Sequence, residues 1–166
     1  SDPDLVEVAI QQTFRAFVYV DEELKNDRGW VEGLLEEYSL EIDNYALKME
    51  EERWGIQKIP EFFRHNETLC EIGLSNRGQS LEFAPEYFRS HSSLVNVAVK
   101  QNGMALEFAS ESLRQNLKIV ENALKQNGRA VQFVHPSVLD DPKFRKKVSR
   151  KYPSAASVLR EMNYSQ

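Results

Sequence analysis

The feature that most constrains this chain is that its sequence repeats every 25 residues. The segment Val99–Gly103 (VKQNG) returns as Leu124–Gly128 (LKQNG). A fixed period in this range is typical of stacked supersecondary units. Units starting near residues 5, 30, 69, 94, 119 and 144 bring equivalent residues into register. The sequence therefore predicts an all-α, solenoid-like stack of short helix-pair repeats, with residues 1–166 forming one helical-repeat domain.

Each unit opens with an apolar stripe at helical spacing. In the fourth unit this stripe consists of Leu94, Val95, Ala98 and Val99. A second apolar set, Leu106, Phe108 and Ala109, indicates a second helix in the same unit. Helices of two or three turns are marginal in water by themselves, so each must bury its apolar side against a neighbouring copy.

Polar residues and glycines mark the expected helix boundaries. Capping residues precede the first helix of five units: Asp2, Asp27, Asn66, Asn116 and Asp141. His91 takes this slot in the remaining unit, where Ser92 or Ser93 is able to serve instead. Gly78, Gly103 and Gly128 share one slot between the two helices, which predicts a left-handed residue at the end of each first helix.

Two units depart from the pattern. The second is longer, and we place its extra segment near residues 50–63, as an extended or additional helix followed by a loop with an exposed Trp54. The last unit, residues 144–166, has Arg145 and Ser149 in apolar slots and Asn163 in the closing slot. These polar substitutions are typical of a degenerate C-terminal cap.

Charge and composition narrow the class of protein. The net charge of −5 divides into −10 for residues 1–67 (17 acids, 7 bases) and +5 for residues 68–166 (9 acids, 14 bases). No apolar run is long enough to span a bilayer, and the one cysteine, Cys70, excludes an internal disulfide. We expect a cytoplasmic protein without cofactors, located in the host cytosol if the parent is a secreted effector.

The segment Ala98–Leu113 (AVKQNGMALEFASESL) resembles a tandem repeat family of unknown function built on AVKQNG-ALEFAS-EL units, found in bacterial effector, protist and algal proteins. The likeness is sharpest over residues 67–139. It implies the helical-repeat fold and an accessory region of a larger, multidomain protein. It implies no catalytic residues.

Two rows of cations are predicted where equivalent slots repeat along the stack. The arginine row is Arg64, Arg89 and Arg114, and the lysine row is Lys100, Lys125 and Arg150. Such rows suit an acidic protein surface or a phosphate backbone, although solvated positions also inherit the residue of an ancestral repeat. Glu82 and Glu107 are expected to pair with nearby arginines.

We interpret the chain as a non-catalytic protein–protein interaction scaffold, with Trp54 as the preferred contact element. The alternative is an anion-binding module that contacts nucleic acid or anionic lipid through the basic segment 143–151, which includes Lys146 and Lys147. No metal, phosphate-loop or nucleophile motif supports an enzyme. Cys70 aligns with buried valines and is expected in the core, and the three histidines are expected at the surface or at caps.

Overall fold

The computed structural model describes residues 2–162, and within that range the chain is helical and contains no strand. The α-helices are α1 Pro3–Gln12, α2 Glu22–Lys25, α3 Arg28–Glu36, α4 Ser39–Glu51, α5 Glu67–Asn76, α6 Glu86–Arg89, α7 Ser92–Gln101, α8 Glu111–Arg114, α9 Leu117–Gln126, α10 Pro136–Leu139, α11 Pro142–Lys151 and α12 Pro153–Glu161. The 3-10 helices are η1 Phe14–Tyr19, η2 Ile56–Lys58, η3 Phe62–His65, η4 Gly78–Phe83, η5 Gly103–Phe108 and η6 Gly128–Phe133. The all-α prediction is confirmed for these residues.

The local structure differs from the expected pairs of helices. A ten-residue α-helix is followed by a six-residue 3-10 helix and a one-turn α-helix, as in α7, η5 and α8. The expected second helix is therefore divided in two. Its apolar residues explain the division, because Leu106 and Ala109 are three apart and share a face most closely at the 3.0-residue period of a 3-10 helix.

The glycines between these elements allow two backbones to approach closely, and they do not form left-handed turns. No glycine among residues 2–162 has a positive φ, so the left-handed prediction for Gly78, Gly103 and Gly128 is wrong. A methyl group on Gly78 or Gly103 would collide with a carbonyl oxygen of the next long helix, that of Ala98 or Ala123. Glycine is needed here because one backbone approaches another.

The predicted capping residues occupy their expected places. Asp2, Asp27, Asn66, Asn116 and Asp141 each accept a hydrogen bond from a first-turn amide of the following helix. His91 precedes α7 but makes no such bond, and its imidazole instead lies 3.1 Å from the Ser93 hydroxyl. The start of α7 is therefore held without a side-chain cap.

Consecutive elements of the same kind pack side by side. Helix α4 contacts α5, α5 contacts α7, and α7 contacts α9, while η4 contacts η5 and η5 contacts η6. Polar side chains cross these steps: Asn76 Nδ2 donates to the Met49 carbonyl at 2.8 Å, and Gln101 Nε2 donates to the Asn76 carbonyl at 3.1 Å. The apolar core runs through all of these contacts, from Ile10 to Leu159.

Residues 50–63 do not form the expected loop. Helix α4 ends at Glu51, and the two 3-10 helices η2 and η3 follow. Ile56, Ile59, Phe62 and Phe63 are buried completely or almost completely. Four apolar side chains in this short stretch give the segment enough buried surface to join the core.

The C-terminal elements are two α-helices of ten and nine residues, α11 and α12, joined at Tyr152. Pro153 occupies the first turn of α12, which replaces the 3-10 helix of the preceding units. Val148, Ala155 and Leu159 are buried, whereas the cations at 143, 146 and 150 are exposed. The predicted closing residue, Asn163, lies outside the described residues. Within residues 2–162 no helix combines the length and the apolarity needed to cross a bilayer.

Candidate functional site

The residues of the arginine row are 25 apart in the chain, and each lies at or near the end of a short helical turn. Arg64 lies near the end of η3, while Arg89 and Arg114 are the last residues of α6 and α8. All three side chains are half-buried and not fully solvated as their charge suggests. The Nε atoms of Arg89 and Arg114 are buried and have no hydrogen-bond partner among residues 2–162.

The backbone of the arginine row links neighbouring steps. The Ser110 amide donates to the Arg89 carbonyl at 2.9 Å, and the His135 amide donates to the Arg114 carbonyl at 3.1 Å. At the preceding step Pro85 stands in the slot of Ser110 and has no N–H to donate. The Arg64 carbonyl there accepts from the Cys70 thiol at 2.9 Å. These bonds fix the main chain from which each arginine projects.

Two clefts follow the arginine row at consecutive steps. The first has a volume of about 320 Å³, and its walls include Lys25, Glu61, Arg64, Phe83, Glu86 and Arg89. The second has a volume of about 200 Å³, and its walls include Glu86, Arg89, Glu107, Phe108 and Ser110. Because Glu86 and Arg89 line both, the two clefts adjoin and form one groove, which we call the arginine groove.

Aromatic rings form part of each cleft wall. The Arg64 guanidinium lies 5.8 Å from the centroid of the Phe83 ring, which is 42% exposed. Phe108 stands in the same slot as Phe83 at the next step and is half-buried. Burial lowers the pKa of Arg64, and the neighbouring Glu61 carboxylate opposes that effect. An arginine beside a ring is suited to planar carboxylates and to polypeptide backbone.

One end of the arginine groove is closed by a buried lysine. Lys25, only 7% exposed, pairs with Glu61 at 3.0 Å and with Glu22 at 3.1 Å. Burial works to lower the pKa of Lys25, but the two carboxylates outweigh it and raise that pKa above its ordinary value. The lysine is therefore charged, and it holds α2 against η3. Lys25 ends α2 as Arg89 ends α6 and Arg114 ends α8, so it occupies the slot of the arginine row in the first unit. Sequence reasoning missed it because that row was defined by arginine alone.

His65 beneath the groove contradicts the surface role expected for the histidines. It is 6% exposed, and its Nδ1 lies 2.9 Å from the Tyr87 hydroxyl. Burial, with help from Lys25 and Arg64, lowers the pKa of His65 to about 4, so the imidazole is neutral at pH 7. Its position directly after Arg64, in the slot that holds Ser90 and Gln115 in later units, gave no sequence signal of burial.

Cys70 lies in the core as expected. It is fully buried, and burial raises the pKa of its thiol to about 12. A thiol in that state is protonated at neutral pH and is a poor nucleophile.

His91 and His135 lie at helix starts, and only His135 acts as a cap. His135 Nδ1 accepts from the Ser137 amide at 3.2 Å, and its Nε2 lies 2.7 Å from a Glu111 carboxylate oxygen. Glu82 and Glu107 form no ion pair within the part of the chain described, so their predicted pairing with arginines is not observed.

The lysine row lies on successive long helices. Lys100, Lys125 and Arg150 occupy equivalent positions of α7, α9 and α11 and are all exposed. None of the three takes part in an ion pair with another residue of the range 2–162. This row is thus a solvated strip of positive charge, separate from the residues that line the arginine groove.

The basic segment 143–151 coincides with α11, and its cations are not equivalent. Lys146 is exposed, whereas Lys147 forms an ion pair with Glu121 of α9 at 2.5 Å. The half-buried Arg145 donates to the Leu139 carbonyl at 2.6 Å. Lys147 and Arg145 therefore attach α11 to the preceding elements, and the cations at 143, 146 and 150 face solvent.

Trp54 is less exposed than the sequence predicts, and its role as a contact element stays a prediction. Its side chain is half-buried against the core, and its carbonyl accepts from Asn76 Nδ2 at 3.0 Å. The buried side chains of Ile56 and Ile59 hold residues 50–63 against the core.

Among residues 2–162 no group of three or more histidine, cysteine, aspartate or glutamate side chains is arranged to hold a metal ion.

Comparison with known proteins gives one family match, to part of the chain, and no activity. Residues 93–139, from near the start of α7 to the end of α10, match the family described as Domain of unknown function (DUF4116). No curated protein and no solved structure matches the chain. The matched segment contains Arg114, Lys100 and Lys125, and the family description assigns them no role.

Proposed function

We propose that this chain is a non-catalytic helical-repeat scaffold that binds another protein in the arginine groove. The observation that carries the proposal is the recurrence of a cleft at two consecutive steps, with Glu86 and Arg89 shared between them. A groove that repeats with the backbone is suited to an extended polypeptide, whose side chains also recur at a fixed interval.

The lining of the groove indicates the chemistry of its ligand. Half-buried arginines lose little additional entropy when they engage a carboxylate, and the exposed Phe83 offers apolar surface. The carboxylates of Glu82, Glu86 and Glu107 line the same clefts. We infer a segment of mixed charge, with acidic side chains against the arginines and a cationic or amide group against the glutamates.

An array of synthetic peptides of graded charge tests this proposal. The variant Arg64→Gln/Arg89→Gln is compared with Lys100→Gln/Lys125→Gln, which removes the same charge from the lysine row. We expect the first variant to lose about tenfold or more in affinity for selected peptides, because arginines in partly enclosed clefts are frequent hot spots. Equal affinity of the two folded variants, checked by circular dichroism, would refute a role for the groove.

The stack itself also forms part of the proposal, and we assign its units differently from the sequence alone. Helix α4 with η2 and η3 has the same order of long helix, 3-10 helix and short closing turn as α5 with η4 and α6. Met49, Ile56 and Phe63 lie 25 residues before Leu74, Leu81 and Phe88. We infer that residues 44–68 are a regular unit. The additional element is then α3 and not segment 50–63.

The exposed cations of α11 support a second candidate function, the binding of nucleic acid or anionic lipid. Lys143, Lys146 and Arg150 face solvent and, within residues 2–162, form no ion pair. Binding of this kind falls steeply with salt. Charge reversal at Lys143 and Lys146 is expected to abolish retention on heparin and on vesicles of anionic lipid. Unchanged retention would eliminate this candidate.

What we propose about the parent protein and its cellular location rests on the family resemblance alone. We propose an accessory region of a larger protein, cytoplasmic or delivered as part of an effector to a host cytosol. The unreactive state of Cys70 is consistent with a reducing compartment without requiring one.

A further inference from the structure

The first unit exposes apolar residues whose equivalents in α5, α7 and α9 are buried. Leu5 is 70% exposed, whereas Leu69, Leu94 and Ile119 in the same slot are at most 3% exposed. Val6 and Ala9 are half-buried, whereas their equivalents at 95 and 98 are fully buried. The uncovered slots are therefore the ones that elsewhere contact the preceding unit.

These residues form a continuous shallow groove. Leu5, Val6, Ala9, Ala16, Tyr19 and Val20, with Asp2 at the edge, enclose about 440 Å³. By contrast Ile10 and Phe17, whose slots belong to the interior of the unit, are fully buried. The first unit is thus packed normally within itself, and only its outer side, which we call the N-terminal face, lacks a neighbour among the residues that the structure describes.

We propose that the N-terminal face is a docking surface for one more α-helix and 3-10-helix unit of the same repeat, located ahead of Ser1 in the same polypeptide. The contact would continue an interface already present inside the chain, where α5 covers α7 and α7 covers α9. The slots of Leu5, Val6, Ala9 and Ala16 are buried in the two units formed by α7 with η5 and by α9 with η6. The proposal concerns the end of the stack and is independent of what binds in the arginine groove.

A second copy of the chain fits this face less well, in either orientation. Two N-terminal faces brought together by a twofold axis would place Asp2, Asp4 and Glu7 of one α1 near those of the other. The opposite end offers no apolar complement, because no large hydrophobic side chain in the range 118–162 is exposed. Its exposed side chains include the cations at 146, 150 and 160.

Fusion of a unit taken from this chain tests the proposal. Residues 91–115, comprising α7, η5 and α8, are joined directly to Asp2, so that Asp2 takes the capping position that Asn116 has after this unit. We expect one cooperative thermal transition and a midpoint raised by about 5 °C or more, since burial of the face adds stability to the whole array.

The substitution Leu5→Ala distinguishes docking from mere attachment. In the parent chain Leu5 is largely exposed, and the substitution is expected to move the midpoint by less than about 2 °C. In the fused chain it becomes a buried Leu→Ala change and is expected to lower the midpoint by about 5 °C or more. Leu40→Ala, at an exposed residue of α4 in both chains, is the matched control.

Two results would overturn the proposal. One is a fused unit that melts separately, with Leu5→Ala equally mild in both chains. The other is a parent chain that sedimentation shows to be a dimer and that Leu5→Glu converts to a monomer, because the face would then belong to a second copy. Neither result bears on the peptide array, so failure here is distinguishable from failure of the proposed function.

Discussion

Replacement of Gly103 by alanine probes the close approach between steps. The new methyl group would meet the Ala123 carbonyl oxygen, which already accepts from the Asn127 amide at 2.8 Å. Neither atom belongs to a flexible side chain, so relief requires two backbones to move apart. Overpacking of this kind costs about 1–3 kcal/mol, and the reduced freedom of the unfolded chain returns about 0.4–1 kcal/mol. We expect a net loss of about 1–2 kcal/mol, or a thermal midpoint lower by about 2–8 °C.

Two other glycines provide matched controls for this prediction. Gly33 lies within α3, and no atom beyond its own helix lies within 4 Å of the place that a methyl group would take, so Gly33→Ala is expected to stabilise by about 0.5–1 kcal/mol. Gly128→Ala would meet the Ser154 hydroxyl, a side-chain end that is able to rotate, and is expected to cost less than Gly103→Ala. Urea denaturation followed by circular dichroism measures all three. A stabilising Gly103→Ala would refute the packing argument.

Three further predictions follow from single residues. Asn116→Ala removes bonds to the Lys118 and Ile119 amides and should cost about 1 kcal/mol in urea denaturation, whereas His91→Ala, which removes no cap bond, should change stability by less than about 0.5 kcal/mol. The pKa of His65 is about 4 in the folded protein and 6.5 in the unfolded chain, so the unfolded state binds the proton more readily and the folded state loses stability as the pH drops from 6.5 to 4. We expect the free energy of unfolding to be about 2 kcal/mol lower at pH 5 than at pH 7. The substitution His65→Gln should remove most of this difference. Cys70 should resist a thiol reagent at pH 8 until the chain unfolds, and rapid labelling of the native protein would contradict its burial.

Periodicity predicted the long helices well because it reports burial directly. The slots of Leu94, Val95 and Ala98 are buried in α5, α7 and α9 and hold apolar residues or glycine there. Five capping residues mark helix starts by a local rule that needs no tertiary contact. The second element was harder. A six-residue window with three apolar positions fits both an α-helix and a 3-10 helix, and only the packing of η5 on η4 and η6 distinguishes them.

The position that we propose for the extra element differs from the sequence prediction for a related reason. The apolar stripe of α3, with Trp30 and Val31, matches the repeat as well as the stripe of α4 does, and its Asp27 cap makes it the better match. Buried Ile56 and Phe63 indicate the other register, yet their burial is visible only in the folded chain. Local signals identify a helix start, whereas the in-register neighbour is fixed by contact between units.

A repeated cation in a repeat protein is ambiguous between a solvated strip and a groove wall, and this chain contains both. The lysine row stands on long helices and remains exposed, while the arginine row closes short turns and is half-buried. Sequence spacing does not separate them, because any two slots of a repeat keep a fixed separation: Phe108 lies 19 residues after Arg89 and also 8 residues after Lys100. What separates them is the contact between steps, since the Phe83 ring lies beside the Arg64 guanidinium of the unit before it. The Arg64 guanidinium lies beside a ring that is still 42% exposed, so the pair forms a cleft wall that a ligand is able to contact.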